Sequence, residues 1–387
     1  MITLLTTILF CSSGLLIALL LAYPLSSYFR SVLLPNPVKK DATFQPPVSI
    51  IIACYNEERY LREKLETLLA PDEWIAGSEI IVVSTGSTDR SNSILQSFAH
   101  RPEVTVLFET RITKIEALNK AVPLAKHDYL VFSDCRQYMK PGSVKELVAN
   151  LNDERVGTVT CTILDTRERP TFFRRLYLFL AKCDSKAGST FNLYGALYAQ
   201  RKDAFRAIPE HLLFDDFFVA VSTLGQKKRL IQEENAVLYD IPFPHYYHRE
   251  RIERLARGLL IFLFNNYSLI GKIPLKTRIR LLIYKYLKLL LPFLALVFAA
   301  TSLVLFHETL LSVTTLFVIT TLVLLVFTST NLTQHVWLIL KINVYFFSAL
   351  WGYAFLNRRS KHWKPLTIRR KWHQLGLAES PRERHIK

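Results

Sequence analysis

Short apolar runs alternate with segments of helical spacing between residues 48 and 133, and no other feature of the sequence constrains the fold as strongly. In the helical segments, apolar residues recur at the spacing of one helical face, as at Leu61, Leu65 and Leu68. This alternation is typical of a parallel sheet with helices packed on its faces. The sequence therefore predicts an α/β domain whose first strands lie at residues 48–53, 79–83, 104–108 and 129–133.

The pattern continues beyond residue 133 with a different spacing. Strands are predicted at residues 156–163, 194–199 and 236–239, with a helix around residues 216–224. Residues 172–181 combine apolar and aromatic side chains with Arg174 and Arg175. That mixture indicates a segment lying near a membrane surface.

The composition favours a membrane protein over a nucleic-acid-binding protein. Hydrophobic residues make up 50% of the 387 residues, the mean hydropathy is +0.19, and the formal net charge is +17. The basic residues gather beside the long apolar stretches, as they do at the cytoplasmic flanks of membrane segments. The five cysteines show no C-x-x-C spacing, so neither a disulfide framework nor a zinc site is indicated.

Long apolar stretches near both ends predict transmembrane helices. Residues 2–21 are nearly continuously apolar, which matches the roughly 20 residues needed to cross a bilayer. A cleaved signal peptide is disfavoured, because the stretch lacks a basic start and a small-residue cleavage site. Residues 289–306 and 310–327 are further spanning candidates, whereas 336–356 contains Lys341 and Asn343 and is predicted to be re-entrant or interfacial.

These features divide the chain into regions. We predict a transmembrane anchor at 1–29, a cytoplasmic catalytic domain at 45–250, a basic amphipathic interfacial region at 251–280, membrane-embedded helices at 281–357 and a basic cytoplasmic tail at 358–387. The charge bias places the domain and the tail on the cytoplasmic side. The expected location is the plasma or inner membrane of a bacterium.

Polar residues follow the ends of the first four predicted strands. Glu57 follows the first, residues 86–89 the second, Lys114 the third and Asp134 the fourth. Ligands of open α/β sheets bind in the crevice at the carboxyl ends of the strands, so the set indicates a nucleotide site. Capping remains the alternative for Ser87 and Asp134. Neither a dinucleotide fingerprint nor a P-loop occurs, which disfavours those classes.

Two groups downstream carry further charge. Asp215 and Asp216 lie amid phenylalanines, where they either begin a helix or form a base and its supporting partner with separated pKa values. Arg251, Arg254 and Arg257 recur along one helical face. They can bind lipid headgroups or hold a diphosphate, and both alternatives stay open.

Several short segments share the motifs of one enzyme family. They are VSIIIACYNEE at 48–58, VVSTGSTD at 82–89, KIEALN at 114–119, GALYAQR at 195–201, DD at 215–216 and AVLYD at 236–240. By these motifs the chain resembles the family 2 inverting glycosyltransferases with membrane anchors. That group includes chitin, cellulose and hyaluronan synthases and ceramide glucosyltransferase. The resemblance extends over about residues 48–258.

The resemblance implies a nucleotide-diphospho-sugar transferase domain of the GT-A type with a mostly parallel sheet. It implies that Asp216 is the general base, supported by Asp215, and that Arg254 stabilises the leaving diphosphate. It places the acceptor beside Tyr198 and Arg201. It places the donor against Ala53, Tyr55, Glu57, Thr85, Lys114, Ser133, Asp134, Arg136 and Arg251.

Three positions depart from the family pattern. Thr85 stands where many members have an aspartate that holds the nucleotide. Arg136 ends the stretch that resembles the D-x-D motif, and an arginine cannot ligate the Mg²⁺ or Mn²⁺ ion that the motif holds, which leaves Asp134 as the only expected ligand. A metal cofactor is still allowed, with weaker dependence because the charge of Arg136 partly replaces the ion. Leu255 replaces the tryptophan of processive synthases.

We therefore expect a membrane-bound inverting hexosyltransferase that uses a nucleotide-diphospho-sugar, with UDP as the expected nucleotide. The missing tryptophan and the few predicted spans favour transfer of one or few sugars to a lipid-linked or saccharide acceptor in cell-envelope or polysaccharide synthesis. The alternative is a catalytically silent membrane partner of a polysaccharide assembly complex. Expected partners are the donor, the acceptor, the membrane and subunits of such a complex, without nucleic acid.

Overall fold

A computed structural model describes residues 2–165, 172–240 and 248–306. The strands are β1 (Ser49–Cys54), β2 (Glu79–Thr85), β3 (Val104–Glu109), β4 (Tyr129–Ser133), β5 (Tyr138–Met139), β6 (Val156–Asp165), β7 (Leu197–Arg201) and β8 (Arg229–Asp240). They form one sheet in the order β3-β2-β1-β4-β7-β6-β8-β5.

The helices of the described residues precede, connect and follow these strands. They are α1 (Ile2–Ile17), α2 (Tyr23–Leu33), α3 (Leu61–Leu68), α4 (Ser91–Phe98), α5 (Lys114–Ala121), α6 (Ser143–Ala149), α7 (Phe172–Ala187), α8 (Asp215–Gly225), α9 (His248–Asn265), α10 (Tyr267–Gly271), α11 (Leu275–Leu281) and α12 (Leu291–Phe306). The predicted α/β class is confirmed.

The first four strands form the parallel half of the sheet. β1 pairs in parallel with both β2 and β4, and β2 pairs in parallel with β3. β7 then joins β4 in antiparallel register, and β6 pairs antiparallel with β7 but parallel with β8. The sheet is therefore mostly parallel, as expected, and the antiparallel β7 separates its two parallel parts.

The core lies on both faces of the sheet, because successive strand residues point to opposite sides. Ile50 and Ile52 of β1 pack with Leu61 of α3 and Leu147 of α6 on one face. Ile51 packs on the other face, among residues of α5 and α8. Strands buried on both faces read as continuous apolar runs, which is why the first four strands could be predicted closely.

The sequence pattern underestimated β8, which was predicted only at residues 236–239. Its first half contains buried polar residues, Arg229, Gln232 and Glu233, and partners from distant segments satisfy them. The Gln232 amide donates to the Thr162 hydroxyl at 2.8 Å, and Glu233 accepts from Lys40 and Asn150 at 2.8 and 2.7 Å. β5 and α6 were not predicted at all.

The predicted membrane spans need correction where the structure describes them. The apolar stretch at residues 2–21 is helical, but α1 ends at Ile17 and a wider π-helical turn, Ala18–Ala22, leads into α2. α12 covers only Leu291–Phe306. Within residues 2–165, 172–240 and 248–306, no helix is both long and apolar enough to cross a membrane. The predicted segments at 310–327 and 336–356 and the tail at 358–387 lie outside the described residues.

A buried ion pair ties α2 to α7 and α11. Arg280 of α11 lies 2.5 Å from Asp184 of α7, and their side chains are 14% and 3% exposed. The Tyr23 hydroxyl of α2 donates to the same carboxylate, and the Arg280 guanidinium lies 5.1 Å from the Tyr23 ring. Burial raises the pKa of Asp184, while Arg280 and the hydrogen bonds oppose that shift.

Replacing Arg280 with methionine should destabilise the fold by about 3 kcal/mol, because Asp184 would stay buried without its cation. Urea unfolding measures the loss. Lys276→Met is the matched control, since Lys276 is exposed on the same helix and its replacement should change stability by less than about 0.5 kcal/mol. Equal stability of the two variants would show that the ion pair does not hold these helices together.

Candidate active site

The carboxyl ends of the parallel strands bring most of the predicted donor residues to one edge of the sheet. Ala53 lies half-buried near the end of β1, and the backbone N–H of Glu57 donates to the Ser91 hydroxyl at 2.8 Å. Ser133 ends β4 with a buried hydroxyl that donates to the carbonyl of Asp134 at 3.2 Å. These residues lie at the carboxyl ends of the strands, where open α/β sheets bind their ligands.

The loops after β1 and β2 are locked together by side-chain hydrogen bonds. Asn56 adopts a φ of 51°, and its side-chain oxygen accepts from the Thr88 backbone N–H at 2.7 Å. The Ser87 hydroxyl accepts from the Asn56 backbone N–H at 3.0 Å. Ser87 therefore joins two loops, whereas the sequence suggested that it caps the following helix.

The loop after β3 packs closely on Gly86. Gly86 has a φ of 74°, and a β-carbon there would lie 2.8 Å from the backbone nitrogen of Arg111. Only glycine fits, because a side chain would both strain the backbone and collide with a neighbouring main chain. The guanidinium of Arg111 lies 3.5 Å from the centre of the Tyr55 ring and donates to the carbonyl of Thr85 at 3.3 Å. Tyr55, Thr85 and Arg111 thus meet where three strands end.

Lys114 occupies the centre of the site. It begins α5, which is capped by Thr113 and Glu116 through a reciprocal pair of hydrogen bonds. The Lys114 ammonium lies 2.8 Å from Asp134 and 3.1 Å from Asp215, and it donates to the Gly195 carbonyl at 3.4 Å. Burial by itself lowers the pKa of Lys114, but the two carboxylates outweigh it and raise that pKa well above its usual value. The lysine therefore stays charged.

Asp215 and Asp216 begin α8, as one of the two alternatives predicted, and they differ in environment. Asp215 is paired with Lys114, whereas Asp216 accepts from the backbone N–H of Phe217 at 2.7 Å. Burial and the charge of Asp215 raise the pKa of Asp216 to about 6, although that hydrogen bond, Lys285 and Lys114 oppose the shift. Such a carboxyl is ionised at neutral pH and still basic enough to accept a proton.

Arg136 points to the end of β8. Its guanidinium lies 3.2 Å from Asp240, because the turn after Asp134 leads into β5, which pairs with the last residues of β8. The donor atoms of the site do not suit a divalent cation. The Asp134 carboxylate already contacts the Lys114 ammonium, and in the described part of the chain no three His, Cys, Asp or Glu side chains come together as metal ligands do.

Helix α9 supports the loop before the paired acids. Arg254 lies half-buried on this helix, with its guanidinium 5.8 Å from the centre of the Phe214 ring. Gly258, one helical turn later, lies against the same ring, and a β-carbon there would be 1.9 Å from a Phe214 ring carbon. Arg251 lies in the first turn of the same helix, but its side chain is outside the described part of the structure.

The two residues expected beside the acceptor are placed differently. Arg201 lies at the opposite edge of the sheet, because β7 runs antiparallel to β4 and pairs Arg201 with Tyr129. Its guanidinium donates to the carbonyls of Val156 and Leu151. Tyr198 is 1% exposed and stacks on Phe132 at 4.6 Å, so it lies beneath the site. In this structure neither side chain therefore lies at the surface where the strands end, so an acceptor contact of Tyr198 or Arg201 stays a prediction without a supporting contact.

Several residues near the site were missed from the sequence. Arg111 follows β3 as Lys114 does, and a cation at a strand end was the available signal. Lys285 lies in the π-helical segment Leu282–Tyr286, far from every motif, and no sequence pattern indicated its position near Asp216. Only the packing of the C-terminal helices against α8 brings it there.

Comparison with known proteins agrees with this geometry. Residues 49–219 match the family model described as Glycosyl transferase family 2. The undecaprenyl-phosphate 4-deoxy-4-formamido-L-arabinose transferase of Edwardsiella ictaluri (strain 93-146) is 30% identical over 169 residues, covering 42% of this chain and 51% of the relative. The uncharacterized glycosyltransferase EpsJ of Bacillus subtilis (strain 168) is 28% identical over 117 residues, covering 30% of this chain and 33% of the relative. The chain thus spans a third to a half of these curated relatives.

One solved structure is similar over nearly the whole chain. The mannosyltransferase PcManGT from Pyrobaculum calidifontis, in complex with GDP-Man and Mn²⁺, has a TM-score of 0.70 and 24% identity. The similarity covers 90% of this chain and 99% of that one, and at this identity it shows the fold. Together these comparisons show that residues 49–219 are similar to family 2 glycosyltransferases and that the fold is a GT-A-like α/β fold.

Replacing Gly258 with alanine should displace Phe214 and with it the start of α8, so the transfer activity proposed below should fall about tenfold or more. The change is measured as kcat beside a thermal unfolding curve, which separates misplacement from unfolding. Gly271→Ala is the matched control, because a β-carbon there would meet only the end of the Arg278 side chain at 4.0 Å. Unchanged kcat in Gly258→Ala would show that α9 does not position the paired acids.

Proposed function

We propose that the chain is an inverting family 2 glycosyltransferase that transfers a sugar from a nucleotide-diphospho-sugar to a hydroxyl acceptor. The observation that carries the proposal is the position of Lys114 between Asp134 and Asp215. This cation joins the parallel half of the sheet, where a donor nucleotide is expected, to the pair of acids that includes a base. The family match over residues 49–219 supports the same class of reaction.

Asp216 is the proposed general base. Its raised pKa, about 6, suits a group that must be ionised before reaction and must accept the acceptor's proton during it. The deprotonated hydroxyl attacks the anomeric carbon from the face opposite the leaving diphosphate, which inverts the configuration. Asp215 supports this role, because its charge is held by Lys114 and raises the pKa of its neighbour.

The leaving diphosphate gains negative charge as the glycosidic bond breaks, and fixed cations at that position stabilise it. Lys114 is the proposed main cation, since its pKa is raised and its ammonium lies at the strand ends. Arg254 is proposed to assist, as is Arg136 when a donor competes with Asp240 for its guanidinium. The Tyr55, Thr85 and Arg111 group is the proposed site for the base of the nucleotide.

The identity of the donor nucleotide and the class of acceptor are two further proposals. We propose a UDP-sugar donor and transfer of a single hexose, or of few, to a lipid-linked or saccharide acceptor in envelope or polysaccharide synthesis. Two named relatives support that setting: the Edwardsiella transferase, and the poly-beta-1,6-N-acetyl-D-glucosamine synthase of Staphylococcus aureus (strain COL), 24% identical over 115 residues. PcManGT was solved with GDP-Man, so guanosine donors belong in the same test.

Asp216→Asn should leave donor binding within about twofold and lower turnover by roughly 10²–10⁴-fold, because only proton acceptance is lost. A panel of UDP- and GDP-sugars is assayed by nucleotide release, and binding is measured by calorimetry. In the wild type, kcat should fall tenfold per pH unit below about pH 6, where Asp216 becomes protonated.

Glu210→Gln is the control for this variant, since Glu210 is an exposed acid outside the site. Near-normal turnover in Asp216→Asn would place the base elsewhere. If the wild type binds donors but turns over none of them, the result would instead favour the alternative function, a catalytically silent membrane partner of a polysaccharide assembly complex.

We propose that divalent metal contributes little to this reaction. Lys114 already lies against Asp134, and a neighbouring cation opposes metal binding at the same carboxylate. Arg136 occupies the position from which a D-x-D acid would ligate. PcManGT was solved in complex with Mn²⁺, so the metal dependence of the two proteins can be compared directly.

Wild-type activity should therefore survive chelation by EDTA with less than about a threefold loss. Arg136→Asp should lower metal-free activity and bind Mn²⁺ more tightly, because it adds an acid near Asp134 and Asp240. Calorimetric titration with Mn²⁺ alone measures the second effect independently of turnover. Activity that disappears on chelation and returns fully with Mn²⁺ would overturn this account.

We propose further that the catalytic domain acts at a membrane, on its cytoplasmic side. Large apolar side chains are exposed along α1 and α2, with Leu4 at 65% and Leu33 at 71%, and again at Leu303 of α12 at 74%. A contiguous exposed apolar surface is typical of membrane or protein contacts. The flanking basic residues favour anionic lipid.

Leu33→Ser combined with Leu34→Ser should lower flotation with anionic phospholipid vesicles by at least about fivefold, because buried apolar area drives interfacial binding. Phe108→Ser is the control, since Phe108 is 50% exposed on the distant edge strand β3. If the full chain fails to float with vesicles, or if both variants float equally, the exposed helices do not bind the membrane.

A further inference from the structure

Helix α3 carries a lysine on its buried face. Leu61, Leu65 and Leu68 of this helix pack into the core beside β1, and Lys64 lies on the same face with only 4% of its surface exposed. An apolar side chain would fill this position without losing hydration, whereas a buried ammonium is costly unless its surroundings compensate it. Packing alone therefore does not explain a lysine here.

The ammonium of Lys64 supports the loop that follows β4. It donates to the backbone carbonyl of Gln137 at 2.5 Å, and Gln137 is itself buried. The same loop begins at Asp134, whose carboxylate contacts Lys114, and it contains Arg136. Lys64 therefore holds, from the interior of the protein, the loop that brings two charged residues to the proposed donor site.

The charge of Lys64 is compensated only from a distance. Burial lowers the pKa of Lys64 to about 8, although nearby acidic and thiol groups oppose that shift. These groups belong to three segments: the loop after β4 with Asp134 and Cys135, the segment after α3 with Glu73, and β6 with Cys161. Among the described residues, only the Gln137 carbonyl accepts a hydrogen bond from the ammonium. Lys64 is thus a cation at neutral pH that has no carboxylate as its hydrogen-bond partner.

The charges at the strand ends explain why a cation is useful at this place. Lys114 contacts two carboxylates, Asp134 and Asp215, so these three groups together carry a net negative charge. The diphosphate of a donor bound at the same edge would add more negative charge. A positive charge beneath the loop opposes this repulsion without taking space from the donor, and it acts strongly because it is buried.

We propose that Lys64 is a positioning residue of the donor site, which holds the loop from Asp134 to Gln137 in the conformation that binds the donor's diphosphate and needs its positive charge to do so. The proposal rests on the proposed function, because it assumes a nucleotide-diphospho-sugar at this edge of the sheet. Lys64 acts through the loop and does not touch the donor. A structural lysine would be needed for folding, whereas a positioning lysine is needed for binding.

Lys64→Met separates these two roles, because methionine keeps most of the side-chain volume and removes the charge and the hydrogen-bond donors. The probes are UDP and GDP, titrated by calorimetry into the full chain. For a nucleotide that the wild type binds, we expect the dissociation constant to rise about tenfold. The unfolding temperature should stay equal or rise by a few degrees, because no ammonium has to be buried. Failure to fold, or unchanged affinity in the folded variant, overturns the proposal.

Lys140→Met is the matched control. Lys140 lies three residues beyond Gln137 and is exposed, so this variant removes the same charge from the surface near the same loop. Its nucleotide affinity should stay within about twofold of the wild type, because water and salt screen an exposed charge. An equal loss of affinity in the two variants would indicate a general effect of net charge and would contradict a specific role of Lys64.

The wild type provides a second measurement that needs no substitution. Lys64 loses its proton as the pH rises through about 8. If its charge supports binding, nucleotide affinity should fall about fourfold between pH 7.5 and pH 9.0, while the affinity of Lys64→Met stays nearly constant over the same range. A wild-type affinity that does not change with pH would show that binding does not use this charge, and it would overturn the proposal.

These measurements also distinguish the positioning role from the proposed function. A wild type that binds neither UDP nor GDP would refute the proposed function, and the role of Lys64 with it. Nucleotide binding that is insensitive both to Lys64→Met and to pH would refute the role of Lys64 alone.

Discussion

The contact of Lys114 with Asp134 and Asp215 is the interaction on which the rest of the site depends. It joins the start of α5, the end of β4 and the start of α8, which are separated by 20 and 101 residues along the chain. An ammonium between two carboxylates lets three partly buried charged groups lie together, whereas any one of them alone would lose hydration without gaining a partner. The capping box at Thr113 and Glu116 supports this geometry by fixing where α5 begins.

The sheet topology explains why these groups can meet. The parallel strands β3, β2, β1 and β4 bring their carboxyl ends to one edge, and that edge holds Tyr55, Thr85 and Asp134. The antiparallel β7 reverses direction beside β4, so the residues that enter β7 lie at the same edge. Gly195 is among them, between Lys114 and Asp216. The same reversal carries Arg201 to the far edge and away from the site.

The adjacent acids have separate roles because their surroundings differ. Asp215 has its charge held by Lys114, while burial and the charge of Asp215 raise the pKa of Asp216. Two neighbouring residues at a helix start thus become one carboxylate paired with a lysine and one carboxyl with a raised pKa, the proposed proton acceptor. Helix α9 and Lys285 also pack near the start of α8, so the C-terminal helices influence the surroundings of Asp216, the proposed base.

The sequence alone determined the α/β class, the first four strands and the polar residues that follow their ends. Strands buried on both faces must be apolar throughout, and such runs can be read without knowing their neighbours. The paired acids and Lys114 could be recognised for a similar reason, because they lie in local motifs. The local hydropathy also predicted membrane-spanning helices, but hydropathy alone does not show that α1 ends at Ile17.

Tertiary structure alone decided which groups meet. Gln232 and Glu233 of β8 can be buried because Lys40, Asn150 and Thr162 complete their hydrogen bonds, and no pattern within residues 229–235 reveals such partners. Arg136 pairs with Asp240, and Lys285 lies near Asp216, because strands and helices distant in sequence pack together. The physical reason is that burial and charge pairing depend on distance in space, whereas sequence patterns report only distance along the chain.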